Sequence, residues 1–193
     1  MNYLVISSHP YSESFNVGVV ENVAEVLKEK GEQVSVIDLV SDGFNPVMSS
    51  DDLMKWRTGA IDNPLVVEYM KKIDEADVLV FPFPLWWGHM PAILKGFCDK
   101  VLQVGFAYKY DENGNMVGLL TDKKAVVITT MQMTNEVYDG YLQNPIIGSF
   151  IKDTLQVCGI DVAKHFQIET IVSGGKEYTD EKMNEIKTYF KEM

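Results

Sequence analysis

Apolar residues recur along the chain in two rhythms, one suited to strands and one to helices. Tyr3 to Ser7 is a short run of apolar, partly β-branched residues. A polar stretch from Ser8 to Asn16 follows, and Val19, Val20, Val23, Val26 and Leu27 then return at the spacing of a helix face. The pattern predicts strand, loop and helix. Gly31 stands where a left-handed residue ends such a helix, and Gln33 to Leu39, carrying Val34, Val36 and Ile37, predicts a second strand. Two strands joined through a helix form a parallel crossover unit.

Beyond Phe44-Asn45-Pro46, a short helix is expected over Asp51 to Arg57 and a longer one over Pro64 to Glu75, with Asn63 as cap and Pro64 in the first turn. Asp77 to Phe83 contains Val78-Leu79-Val80-Phe81 without alternation, as in a strand covered on both faces. Met90 to Leu102 reads as a helix, and Phe106 to Leu119 as an excursion turning at Asn113-Gly114. Ala125 to Thr130 is another buried strand, Ile146 to Val157 an amphipathic helix ended by Gly159, Asp161 to Ile171 holds the last strand, and Thr179 to Glu192 is a charged final helix. Five strands separated by helices predict an α/β, three-layer αβα, doubly wound parallel sheet, most simply in the order 2-1-3-4-5.

Composition narrows this picture. The 193 residues, 46% hydrophobic and 23% charged, suit one domain spanning 1–193. A net charge of −11 with Arg57 as the only arginine leaves no basic patch, so neither nucleic acid nor an anionic membrane surface is an expected partner. Cys98 and Cys158 lack the spacing of a redox or metal site and read as buried thiols, and no metal is expected. No charged-then-apolar leader opens the chain and no apolar run reaches about 18 residues, so a cytoplasmic location without stable membrane insertion is expected.

Ligands of such sheets lie beyond the carboxyl ends of the strands, where three loops converge. The first groups Ser7, Ser8, His9, Ser12, Ser14 and Asn16 before a helix, a setting for an anion, though a plain capped helix has the same residues. The second, Pro84-Leu85-Trp86-Trp87-Gly88-His89-Met90-Pro91, puts two tryptophans after a buried strand, either to stack on a flat ligand or to pack against helices or a partner subunit. The third runs from Thr129-Thr130-Met131-Gln132 to Tyr138 and Tyr141; Tyr138 is equally a hydrogen-bond donor to developing negative charge or a structural residue. Neither a GxGxxG turn after the first strand nor a GxSxG elbow is present, which argues against a dinucleotide fold and a hydrolase.

The series His9 with Ser14-Phe15-Asn16, Phe44-Asn45-Pro46, Phe83-Pro84-Leu85 with Trp87, Pro91-Ala92-Ile93-Leu94-Lys95-Gly96, and Gly105-Phe106-Ala107-Tyr108 resembles the NAD(P)H:quinone oxidoreductase (DT-diaphorase-like) family of flavodoxin-fold flavoproteins. The resemblance runs to about Ile171, with a shorter segment around Gly59 to Asn63. It implies a bound flavin, usually FAD and in smaller relatives FMN, and a homodimer with active sites at the subunit interface. His9, Ser14, Phe15 and Asn16 would contact the flavin phosphate and ribityl region; Pro84, Leu85, Trp86, Trp87 and Gly88 would line the isoalloxazine, with main-chain amides after Leu85 at its polar edge; Thr129, Thr130, Met131 and Gln132 would form the opposite wall. Tyr108 and Tyr110 would cover the partner's substrate pocket, and Tyr138 matches the family's catalytic tyrosine. Two departures stand out: Met131-Gln132 replaces the family's glycine pair, and the family's histidine falls near Asn144.

The implied activity is two-electron, ping-pong reduction of quinones or similar flat acceptors by NADH or NADPH. With Arg57 alone to clamp a ribose phosphate, strong NADPH selectivity is not expected. The alternatives are a flavin-binding, redox-sensing regulatory subunit of a potassium efflux system and a one-electron carrier.

Overall fold

The structure, a computed structural model, describes residues 1–58 and 60–193, apart from the side chains of Arg57 and Thr58. Arg57's side chain and Gly59, which bear on the nucleotide preference and on the shortened segment, thus lie outside the described residues. The elements run β1 (Asn2–Ser7), α1 (Phe15–Glu29), β2 (Gln33–Asp38), α2 (Ser50–Thr58), α3 (Pro64–Glu75), β3 (Val78–Pro84), α4 (Ala92–Val101), β4 (Tyr108–Tyr110), β5 (Met116–Gly118), β6 (Lys124–Thr130), β7 (Asp161–Ile168) and α5 (Gly175–Glu192). Two π-helical segments, Glu136–Tyr141 and Ile147–Gln156, lie between β6 and β7.

The main sheet has the order β2-β1-β3-β6-β7 with every pair parallel. This is the flavodoxin-like 2-1-3-4-5 arrangement, once the small antiparallel β4-β5 hairpin is set apart. Strand alternation divides the core between the two faces. Leu4, Ile6, Leu79, Phe81, Phe83, Ala125 and Val127 face the layer of α3, α4 and the second π-helical segment. Tyr3, Val5, Val78, Val80, Val126 and Ile128 face α1 and α5. Phe150 supplies the closest aromatic contact of the first layer, its ring 5.2 Å from Phe81 and 5.5 Å from Phe83 edge to face.

Several boundaries differ from the sequence expectation for identifiable reasons. Pro91 takes the extended geometry of an N-cap (φ −55°, ψ 145°), so α4 starts at Ala92 and not at Met90. Helix α5 opens four residues early, at Gly175, through a polar turn with no apolar periodicity to announce it. The expected α-helix at Ile146 to Val157 is instead wound more loosely, and the preceding loop contains a π-helical turn of its own, with Leu142 N donating to Val137 O at 3.2 Å. By contrast, Asn63 caps α3 through Leu65 N and Val66 N, and Gly114 turns the hairpin at φ 80°.

Two sequence motifs meet in space. A Cβ built on Gly96 of α4 would stand 2.3 Å from both the carbonyl oxygen and Cβ of Pro46, so the helix approaches the Phe44-Asn45-Pro46 turn to backbone contact. Gly96→Ala is expected to lower the free energy of unfolding by about 2 kcal/mol through overpacking. Gly148→Ala, where nothing lies within 4 Å of the added carbon, is expected to leave it unchanged or slightly raised; urea melts of both variants test the contrast.

Candidate active site

The strand order reverses between β1 and β3: α1 covers one face of the sheet and α3 the other, which leaves a crevice at the carboxyl ends of these strands. Three loops enclose a cleft of about 430 Å³ there. A larger groove of about 1100 Å³ between β7 and α5 is open and carries Glu177, Asp180, Glu181 and Glu185. It has no convergence of loops at a switch point, so the smaller cleft is the candidate site.

The first wall is the β1–α1 loop. Ser14 is the N-cap of α1, its Oγ accepting from Val17 N at 3.2 Å, while the earlier amides of the first turn have no partner within the helix and point outward. Asn16 is buried and donates from Nδ2 to Thr130 Oγ1 at 2.9 Å, across the floor of the cleft. Its Oδ1 and the Oγ of Ser8 are buried without hydrogen-bond partners among the described residues. An unpaired polar atom of that kind costs about 1–3 kcal/mol, a penalty that a ligand with hydroxyl donors and an anionic end would remove. His9 Nδ1 accepts from Tyr11 N at 3.1 Å, which places the ring proton on Nε2. Burial lowers its pKa, and Nε2–H is the donor the ring has left to offer. Glu13 also lines the cleft, with a carboxylate oxygen accepting from Tyr11 OH at 3.0 Å.

Pro84, Leu85 and Trp86 make the second wall, and Trp86 meets the His9 ring edge to face at 5.9 Å. The amides here are committed: Leu85 N donates to Thr130 O at 2.7 Å and Trp86 N to His89 O at 2.9 Å. Trp87 and Gly88 therefore form the tip of a two-residue turn with φ of 53° and 78°, the pair of left-handed residues that a tight hairpin requires. Trp87 is 100% exposed, whereas Gly88 sits over Tyr138, so neither lines the cleft within one chain.

The third wall holds Thr130, Met131 and Gln132, and Ile171 and Val172 complete it. Thr129 lies on the opposite face of β6 because side chains alternate along a strand, and its Oγ1 shares a hydrogen bond of 2.9 Å with His165 Nε2. Burial lowers the His165 pKa to about 4. Tyr138 is fully buried, its hydroxyl donating to Gly88 O at 2.9 Å, and burial raises its pKa to about 12. Tyr108 and Tyr110 stand away from the cleft, 5.8 Å apart on β4, with Tyr110 exposed.

Sequence reasoning missed Tyr11, Glu13, Ile171 and Val172. The last two follow the carboxyl end of the final strand, and that position was the signal available. Cys98 and Cys158 are buried free thiols, pushed up to about 12 and about 11 by desolvation, and hence poor nucleophiles.

Known proteins resemble the chain over most of its length. The family model Flavodoxin_2, described as flavodoxin-like fold, matches residues 1–192. An uncharacterized NAD(P)H oxidoreductase of Haemophilus influenzae is 35% identical over 163 residues, covering 83% of this chain and 80% of that protein. NAD(P)H dehydrogenase (quinone) 1 of Cavia porcellus is 34% identical over 184 residues, covering 82% of this chain but 65% of its own length. Among solved structures, the NAD(P)H:quinone oxidoreductase from Methanothermobacter marburgensis superposes with a TM-score of 0.89 at 27% identity, over 99% of this chain and 98% of that one.

His165 gives the protein a pH-dependent stability. Its folded pKa of about 4 lies below the unfolded value near 6.5, so the unfolded chain takes up the proton first and stability falls as pH drops through that interval. Relative to the wild type, His165→Gln is expected to lose slope between pH 6.5 and pH 4 and to keep the same slope above pH 7; denaturant melts at stepped pH measure both.

Proposed function

Because the chain belongs to the Flavodoxin_2 family of flavodoxin-like fold, we propose that it is a flavin-dependent NAD(P)H dehydrogenase that reduces quinones or similar flat acceptors. The observation that carries this reading is the cleft itself, where one end has the free amides of α1 beside two orphaned buried oxygens and the other a flat apolar wall ending in Trp86. A ribityl phosphate matches the first end and an aromatic ring system the second. The chemistry such a group supplies is hydride acceptance from a nicotinamide and delivery of two electrons to an acceptor.

In this reading, the first-turn amides of α1 and His9 Nε2–H hold the phosphate, helped by the helix dipole. Ser8 Oγ and Asn16 Oδ1 take up ribityl hydroxyls, which satisfies the two atoms left unpaired. Pro84, Leu85 and Trp86 face one side of the ring system and Thr130, Met131 and Gln132 the other, excluding water from the reacting face. The cofactor is proposed as FAD; FMN would use the same phosphate end, and mass spectrometry of the extracted cofactor distinguishes them.

The chain is proposed to act as a single domain in a cytoplasmic homodimer. No described helix is long and apolar enough to cross a membrane. Tyr110 and Met116 face each other across the β4-β5 hairpin and are both exposed, as is Trp87. A second copy would cover these groups and bring Tyr110, backed by Tyr108 buried at the base of the hairpin, over its partner's cleft, where Trp87 and Gly88 would complete the acceptor pocket. The names of the relatives speak for turnover over the regulatory-subunit reading.

Purified protein is expected to be yellow or to become so with added FAD or FMN, and to bleach under anaerobic NADH or NADPH. Protein that stays colourless and binds neither flavin overturns the proposal. Asn16→Ala, which removes both the Thr130 bond and the ribityl acceptor, is expected to weaken flavin binding about tenfold in a fluorescence titration.

A further inference from the structure

A cluster of amides and carboxylates that lines no part of the cleft fastens the far end of the β6–β7 loop. Asn144, buried, donates from Nδ2 to Asp139 Oδ1 and to Gln167 Oε1, both at 2.7 Å. Gln167, on β7, donates from Nε2 to Asn135 Oδ1 at 2.5 Å and to Asp139 Oδ1 at 3.0 Å. The Asn135 backbone N–H donates to Glu169 Oε2 at 2.6 Å. Closing this ring keeps Gln143 and Asn144 in left-handed backbone, with φ of 56° and 46°, which costs roughly 1–2 kcal/mol for each non-glycine residue. The side-chain bonds of Asn144 offset that strain.

The same segment carries Tyr138. Asn144 N donates to Tyr138 O at 2.9 Å, so the clasp and the tyrosine move as one piece of backbone. The Tyr138 ring and Leu142 lie under Gly88, within 3.8 Å and 3.9 Å of where its Cβ would stand, and the Tyr138 hydroxyl holds the Gly88 carbonyl. Gly88 closes the turn from Trp86 to His89, and Trp86 is a wall of the cleft. An uninterrupted path therefore runs from β7 through Tyr138 to the apolar face of the site.

We propose that Gln167 and Asn144 are positioning residues that set the width of the flavin cleft, acting through Tyr138 on the Trp86–His89 turn. This rests on the flavin reading above for the ligand, but not for the coupling. Asn144 here serves as a latch on β7, and Tyr138 spends its hydroxyl on the turn.

Gln167→Glu tests this by making the clasp titratable. Below the pKa of the new carboxyl its single proton keeps the donation to Asp139 and gives up the one to Asn135 Oδ1; above it two carboxylates oppose each other at the former 3.0 Å contact and repel. Besides Asp139, the charged or titratable groups around position 167 are Glu169 at the strand end and His165 and Lys164 on β7; His165, at about 4, is neutral from pH 5 to pH 8. Compared with the wild type at the same pH, the variant is expected to bind FAD or FMN within twofold at pH 5 and at least tenfold more weakly at pH 8. In flavin-free protein, the tryptophan emission of the variant is expected to shift over the same interval as the Trp86 turn loosens. Gln167→Met, which removes the bonds without adding charge, is expected to weaken flavin binding at both pH values.

Flavin affinity within twofold of wild type in both variants at both pH values, with at most a lower melting temperature, overturns the proposal and leaves the clasp a purely structural feature. A wild type that binds no flavin sinks the functional reading instead, and the emission shift then decides the coupling alone.

Discussion

The buried hydrogen bond from Asn16 Nδ2 to Thr130 Oγ1 joins residues 114 positions apart and ties the first turn of α1 to the end of β6. The cleft depends on it. Apolar packing seats α1 on the sheet, and this link adds a polar tie at the cleft itself, between the helix turn whose amides form the anionic end of the site and the strand that supplies the opposite wall. The bond also uses one half of the Asn16 amide and leaves the other half, Oδ1, buried and unpaired. A polar group held in that state is unfavourable for folding and useful for binding, because the free energy withheld during folding becomes available to a ligand.

The second wall is built in two parts of different stiffness. Leu85 is bonded directly to Thr130, so the base of the second wall is an extension of the β3-β6 ladder. Its outer part, the Trp86–His89 turn, rests on Tyr138 and Leu142 of a loop that is itself anchored to β7 by amide and carboxylate side chains. Tyr138 reaches under Gly88 from the π-helical segment Glu136–Tyr141 of that loop. The rigid sheet thus sets where the cleft is, while a polar cluster at the sheet edge sets how its aromatic lip stands.

The sheet was legible because local patterns and global order agreed. Unbroken apolar runs at Val78 to Phe81 and Ala125 to Ile128 become central strands, and Asn63-Pro64, Gly31 and Asn113-Gly114 do at their positions what their chemistry requires. The site was legible loop by loop and less so residue by residue. Thr129 and Thr130 are neighbours in the chain, yet only Thr130 faces the cleft, and the choice between them depends on the register of β6 against β3 and β7. Trp86 and Trp87 are equally conspicuous in the sequence, but a left-handed backbone at Trp87 sends one indole to the wall and the other fully into solvent.

Periodicity, caps and turn residues by themselves determined the succession of strands and helices and the three loops that follow the first, third and fourth strands of the main sheet. These are local properties, carried by side-chain spacing and by the few residues that tolerate special backbone angles. Only the tertiary structure decided which atoms in those loops remain unpaired, that Tyr138 gives its hydroxyl to Gly88, and that Asn144 closes on Gln167 of β7. Each is a hydrogen bond, or the lack of one, between residues distant in the chain or turned by a strand's alternation, and its outcome depends on packing that no short window of sequence contains.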